Sequence, residues 1–136
     1  MKTALLLRIA SVISLLFTAG HTLGGRKSWS PMGETEVLQA MRSTRYQAFG
    51  VSRTYLDFFL GFGYSLSVTL LLQAVVLWQL AGIARTDPRL VRPIAAAFAA
   101  ASVASAILAW RFIFPVPALF AAVLAVVLGA AAIVGR

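Results

Sequence analysis

One imidazole, one carboxylate and one guanidinium lie on three different hydrophobic segments of this chain: His21, Asp57 and Arg111. An ionisable side chain in or beside an apolar environment is costly and normally faces protein or water, so each is a candidate functional group. Asp57 accepting from His21 or Arg111 would hold a defined protonation state, with Tyr64 and Ser65 lining a pocket below. A lipophilic small molecule with one polar end suits such a cluster. Its head would meet the charges and its tail would run over Phe58, Phe62, Phe112 and Phe114. The competing reading is a structural ion-pair network, or side chains reaching for lipid headgroups. His21 with Asp57 is also the only pair placed for general acid–base work, and no catalytic residue is assigned beyond that. A single histidine and scattered carboxylates have no metal-ligand spacing, so no metal site and no cofactor is expected. Haem would find one axial ligand in His21, and a second would have to come from methionine or a second subunit.

These residues need elements to position them, and composition limits which elements those are. The chain has 136 residues, is 60% hydrophobic and only 12% charged. A soluble domain this small exposes too much of its area to hide that apolar content, so lipid must take the rest. The apolar residues come in continuous blocks, which argues for helices rather than the alternation of a membrane barrel. The expectation is an all-α integral membrane protein, an antiparallel four-helix bundle in one domain, with helices near 4–24, 55–84, 94–111 and 117–135. With no cysteine, thiol–disulfide chemistry, disulfide staples and thiolate metal sites are excluded.

The formal charge of +8 would suggest nucleic acid in a soluble protein. Here the cations flank apolar blocks, where they snorkel to phosphate headgroups, and no nucleic acid partner is expected. The start of the chain reads as an uncleaved signal anchor with a cytoplasmic N-terminus, since the apolar run begins before Arg8 and continues through Leu23. The expected location is the bacterial inner membrane, crossed several times. Residues 25–54 then lie outside, with Arg85, Arg89, Arg92 and Arg136 inside. The positive-inside rule is nearly silent over the whole chain, so orientation rests on the first helix and the Arg85–Arg92 loop.

The outer segment reads as a short extracytoplasmic amphipathic helix. Ser30-Pro31 supplies a start, and Val37, Leu38, Met41, Ala48 and Phe49 recur near helical spacing. Trp29, Arg42, Arg45 and Tyr46 are its interfacial anchors. In the first span Ser11, Ser14, Thr18, His21 and Gly25 follow the three-four period of a packed face. In the second, Asp57, Gly61, Ser65, Thr69 and Gln73 form a stripe expected to meet it, with Gln73 hydrogen-bonding across the bundle.

The run Gly20-His21-Thr22-Leu23-Gly24-Gly25, followed by Trp29 and Pro31 and later by Asp57-Phe58-Phe59-Leu60-Gly61-Phe62-Gly63, resembles a family of small, functionally uncharacterised bacterial four-helix membrane proteins. In overall plan alone the chain is similar to DoxX-like four-helix proteins. The resemblance implies a four-helix membrane fold and carries no activity. Independently of it, Gly24-Gly25 lets the first helix end, and Gly61 and Gly63 permit close backbone approach.

The function expected from these observations is binding of a lipid-like ligand or a protein partner, a second copy of the chain included, at an outer polar cluster of His21, Asp57, Arg111, Tyr64 and Ser65. Enzyme activity on a lipophilic substrate through His21 and Asp57, and small proton-coupled transport, are the alternatives.

Overall fold

The structure, a computed structural model, describes residues 1–134. Arg136, expected as an inner cation, and the last residue of the fourth expected span lie outside them. The element order is α1 (Lys2–Gly25), α2 (Glu36–Ser43), β1 (Arg45–Ala48), β2 (Val51–Thr54), α3 (Tyr55–Ile83), α4 (Pro88–Phe112) and α5 (Pro115–Val134). The chain is mostly helical, and α1, α3, α4 and α5 are each long and apolar enough to cross a membrane. Two compact units result: one of residues 1–17 and 70–134, the other of residues 18–69.

In the first unit the beginning of α1, the end of α3, the beginning of α4 and the end of α5 share one core. Leu7, Leu77 and Leu128 are fully enclosed there, and Ala4, Ala81, Ala84, Val91, Ala95 and Ala131 fill the space between them. Alanine at so many contact positions lets helix backbones approach closely, which gains dispersion contacts that outward-facing leucines do not. Two polar ties join α1 to α3: Ser11 Oγ donates to the Ala74 carbonyl at 2.6 Å, and Gln73 Nε2 donates to Ser14 Oγ at 2.9 Å. The expected bond of Gln73 across the helices is therefore present.

Helix α4 starts at Pro88 rather than near residue 94. Asp87 caps it, accepting from Arg89 N–H at 2.9 Å, and Pro88 occupies the first turn, where its missing N–H costs nothing. Pro93 thus falls inside the helix. Only Ile113 and Phe114 separate α4 from α5, so the two fold back as an antiparallel pair. Arg92 Nε donates to the Ala132 carbonyl at 3.0 Å near its open end.

In the second unit the expected surface helix is shorter than its apolar spacing suggested. It begins at Glu36, where the Thr35 hydroxyl accepts from Leu38 N–H at 3.2 Å, while Ser30-Pro31 sits in a turn closed by Ser30 Oγ donating to the Gly33 carbonyl. Residues 45–54, with Ala48 and Phe49 among those assigned to the helix, form an antiparallel hairpin instead, Ala48 facing Val51. Its two-residue loop has φ of 50° at Phe49 and 80° at Gly50. Positive values at both positions match the twist of the flanking strands.

Helix α3 turns a different face inward from the one its polar stripe suggested. Asp57, Gly61, Ser65 and Thr69 are exposed. The buried positions are Leu56, Ser67, Leu70, Ala74, Leu77, Leu80 and Ala81, most of them on a three-four period displaced from that stripe. Ser and Thr hydroxyls satisfy themselves on their own helix, as Thr69 Oγ1 does by donating to the Ser65 carbonyl at 3.0 Å. Polarity alone therefore did not oblige the stripe to face protein.

Candidate functional site

The expected site residues fall into separate environments. Asp57 stands at the third position of α3 and closes a capping box on the strand end: Thr54 N–H donates to Asp57 Oδ2 at 2.9 Å, and Asp57 N–H donates to Thr54 Oγ1 at 3.0 Å. Two otherwise orphaned backbone donors are satisfied reciprocally, and the carboxylate complements the positive helix end. The Thr-x-x-Asp spacing before an apolar run is a recognisable signal for this cap.

His21 is held elsewhere. Its Nδ1 is hydrogen-bonded to Ser67 Oγ at 3.0 Å. Ser67 is ten residues beyond Asp57, about 15 Å along the axis of α3 at 1.5 Å per residue. The imidazole and the carboxylate are thus at different levels, and the expected His21–Asp57 acid–base pair is not formed. The His21 ring packs on Trp29, with ring centroids 5.1 Å apart.

Trp29 organises this part of the unit, which reading it as a surface anchor missed. Its indole Nε1–H donates to the His21 carbonyl at 2.8 Å, and its ring meets Tyr64 edge-on at 5.0 Å and Phe59 at 6.2 Å. The ring lies in a notch of bare backbone. A β-carbon at Gly63 would collide with it, and one at Gly25 would lie 2.8 Å away. Ser28 and Trp29 take left-handed backbone angles, φ of 52° and 47°, to turn the chain back onto α1 and deliver the indole. Gly24, Gly25 and Gly63 are therefore a socket for one side chain. Tyr64, expected to line a pocket below the charges, packs on the wall of that socket.

Ser65 does share a cavity with Asp57. An open cleft of 340 Å³ is lined by Tyr46 and Arg53 from the hairpin and by Asp57, Phe58, Gly61, Phe62 and Ser65 from α3. Tyr46, Phe58 and Phe62 are in edge-to-face contact along its wall, with centroids of successive rings 6.1 and 4.8 Å apart. One cation and one carboxylate thus rim an aromatic trough.

Arg111 belongs to the other unit. Its guanidinium lies over the Phe112 ring at 5.9 Å and edges an apolar cleft of 700 Å³ between α4 and α5, with Trp110, Pro115, Val116 and Leu119 among its lining. Among the described residues no group of three or more His, Cys, Asp or Glu is placed to hold a metal ion. Comparison with known proteins finds no family model, no curated protein and no solved structure that matches this chain.

Proposed function

We propose that the chain is a multi-pass protein of the bacterial inner membrane, N-terminus inside, that binds an amphipathic, lipid-like ligand in the cleft between the β-hairpin and the start of α3. Support for the membrane placement comes from large apolar side chains directed outward on all four long helices. Leu72, Ile107 and Val126 are each at least 60% exposed, a pattern that water would penalise and lipid would not.

The observation that carries the ligand reading is the composition of the cleft. Arg53 and Asp57 offer one charge of each sign at the end of α3, and Tyr46, Phe58 and Phe62 continue from them as an apolar wall. A headgroup with an acidic part would take the Arg53 guanidinium, which is suited to phosphate or carboxylate, and the chain of the ligand would follow the aromatic rings. Asp57 keeps one carboxylate oxygen on the Thr54 N–H and can present the other to a ligand donor.

The alternatives have less to stand on. An enzyme using His21 with Asp57 would need the two within reach of one substrate group, and they are held at different depths of the unit. A proton-coupled transporter would want a carboxylate at mid-span, whereas Glu34, Glu36 and Asp87 lie outside the long helices and Asp57 is in a first turn.

Native mass spectrometry of the protein released from lipid discs tests the reading, comparing wild type with Arg53→Gln, Asp57→Asn and Phe62→Ala. A defined adduct present on wild type and lost from Arg53→Gln and Phe62→Ala is the expected result. An adduct equally abundant on all four proteins, or none on wild type, overturns it.

A further inference from the structure

Arg8 is a cation set among leucines and isoleucines of α1. Its Nε is buried and has no hydrogen-bond acceptor among the described residues. The guanidinium lies 4.8 Å from the centroid of the Trp78 ring on α3. From that point a groove of 280 Å³ runs between the two helices, lined by Ser11 and Leu15 on one side and by Leu71, Val75 and Trp78 on the other. Arg8, Ser11 and Leu15 follow i, i+3, i+7 on a single face, so the groove descends about 10 Å from the cation along α1.

The charges at this end of the unit are unbalanced. Lys2, Arg8, Arg85, Arg89 and Arg92 gather where Ala4 and Leu7 pack against Ala81, Ala84, Val91 and Ala131. Asp87 is the one acidic residue of this unit, and it is engaged in capping α4. Among the described residues the only ion pair is Arg42 with Glu34, in the other unit. Among the described residues no carboxylate pairs with Arg8, and an anion that did so from outside would meet an apolar surface directly beneath.

We propose that Arg8 and the α1–α3 groove below it form a second lipid site, taking the phosphate of an anionic phospholipid on the guanidinium and one of its acyl chains along Leu15, Leu71 and Val75. The site is distinct from the hairpin cleft and rests only on the membrane placement proposed above. A guanidinium pairs with phosphate through charge-assisted N–H bonds, so the headgroup neutralises the ion at the mouth of the groove. Trp78 holds the guanidinium over the groove and is itself a residue suited to the headgroup boundary. A neutral, zwitterionic lipid would bring its own cation to a region already crowded with them, which sets the preference for a net negative headgroup.

Tryptophan quenching by brominated lipids tests this. The protein is reconstituted in phosphatidylcholine vesicles carrying equal mole fractions of tail-brominated phosphatidylglycerol or tail-brominated phosphatidylcholine, and the signal of Trp78 is taken as the difference between wild type and Trp78→Phe. The brominated anionic lipid is expected to associate with Trp78 about fivefold more strongly than the zwitterionic one. Arg8→Gln should abolish that preference, and Arg89→Gln should leave it largely intact. Equal quenching by both lipids in wild type overturns the proposal, with no dependence on how any Arg8 variant folds. Equal loss in Arg8→Gln and Arg89→Gln overturns it too, by assigning the preference to diffuse attraction. Failure of brominated phosphatidylcholine to quench any tryptophan would instead sink the membrane placement itself.

Discussion

The indole of Trp29 rests against the backbone of Gly63, with no room for a β-carbon between them. Residues from the turn after α1 and from the middle of α3's first half are thereby locked to each other, and the His21 carbonyl completes the lock by accepting the indole N–H. Gly63→Ala should destabilise the protein by about 1–3 kcal/mol, the usual range for overpacking. Trp29→Leu should also destabilise, and the double variant should lose less than the sum, because the smaller side chain vacates the space the methyl group needs. Thermal unfolding in mild detergent measures all three. Strict additivity would show that the contact is not a steric lock.

The reciprocal bonds of Thr54 and Asp57 give a second expectation. Thr54→Ala should cost about 1 kcal/mol, the typical value of a helix cap, Asp57→Ala should destabilise as well, and the two together should lose little more than Thr54→Ala alone. Asp57→Asn should cost less, since its amide oxygen still accepts from Thr54 N–H. Unfolding midpoints in denaturant report these differences, and a large loss in Asp57→Asn would mean that its charge has a partner besides the helix end.

Gln73 and Ser14 form a polar contact between apolar helices, so removing one partner should be worse than removing both. Ser14→Ala leaves the Gln73 amide without this acceptor and should cost about 1–2 kcal/mol. Ser14→Ala combined with Gln73→Leu should recover much of that loss. If the double variant is instead the least stable of the set, the hydrogen bond contributes more than the desolvation it offsets.

At the hairpin tip Phe49 is fully exposed while its φ is 50°. A bulky residue in the left-handed region carries a backbone cost that asparagine largely avoids. Phe49→Asn should therefore stabilise the hairpin by about 1 kcal/mol, visible as slower hydrogen exchange of the amides in residues 45–54. Faster exchange in the variant would show that the Phe49 ring contributes more to the hairpin than its backbone strain costs.

Length and apolar composition were enough to define four long helices, because a run of about 20 apolar residues has few other stable forms. The polar face of α1 at Ser11, Ser14 and Thr18 and the crossing bond of Gln73 were also legible, since they follow helical periodicity directly. The face that α3 buries was not. In a chain so apolar, side-chain polarity no longer separates inside from outside: Ser65 and Thr69 face outward while Ala74 and Ala81 are enclosed. What ranks the faces is how closely another backbone can approach, and that depends on which helix arrives. The same holds for the candidate site. His21, Asp57 and Tyr64 were recognisable by chemistry, but their grouping depended on where Trp29 inserts and on Thr54 claiming the Asp57 carboxylate. The socket joins residues far apart in the chain, and the hairpin was masked by apolar spacing that also fits a helix. Local propensity therefore settled the helices, and packing between distant segments settled which of their side chains meet.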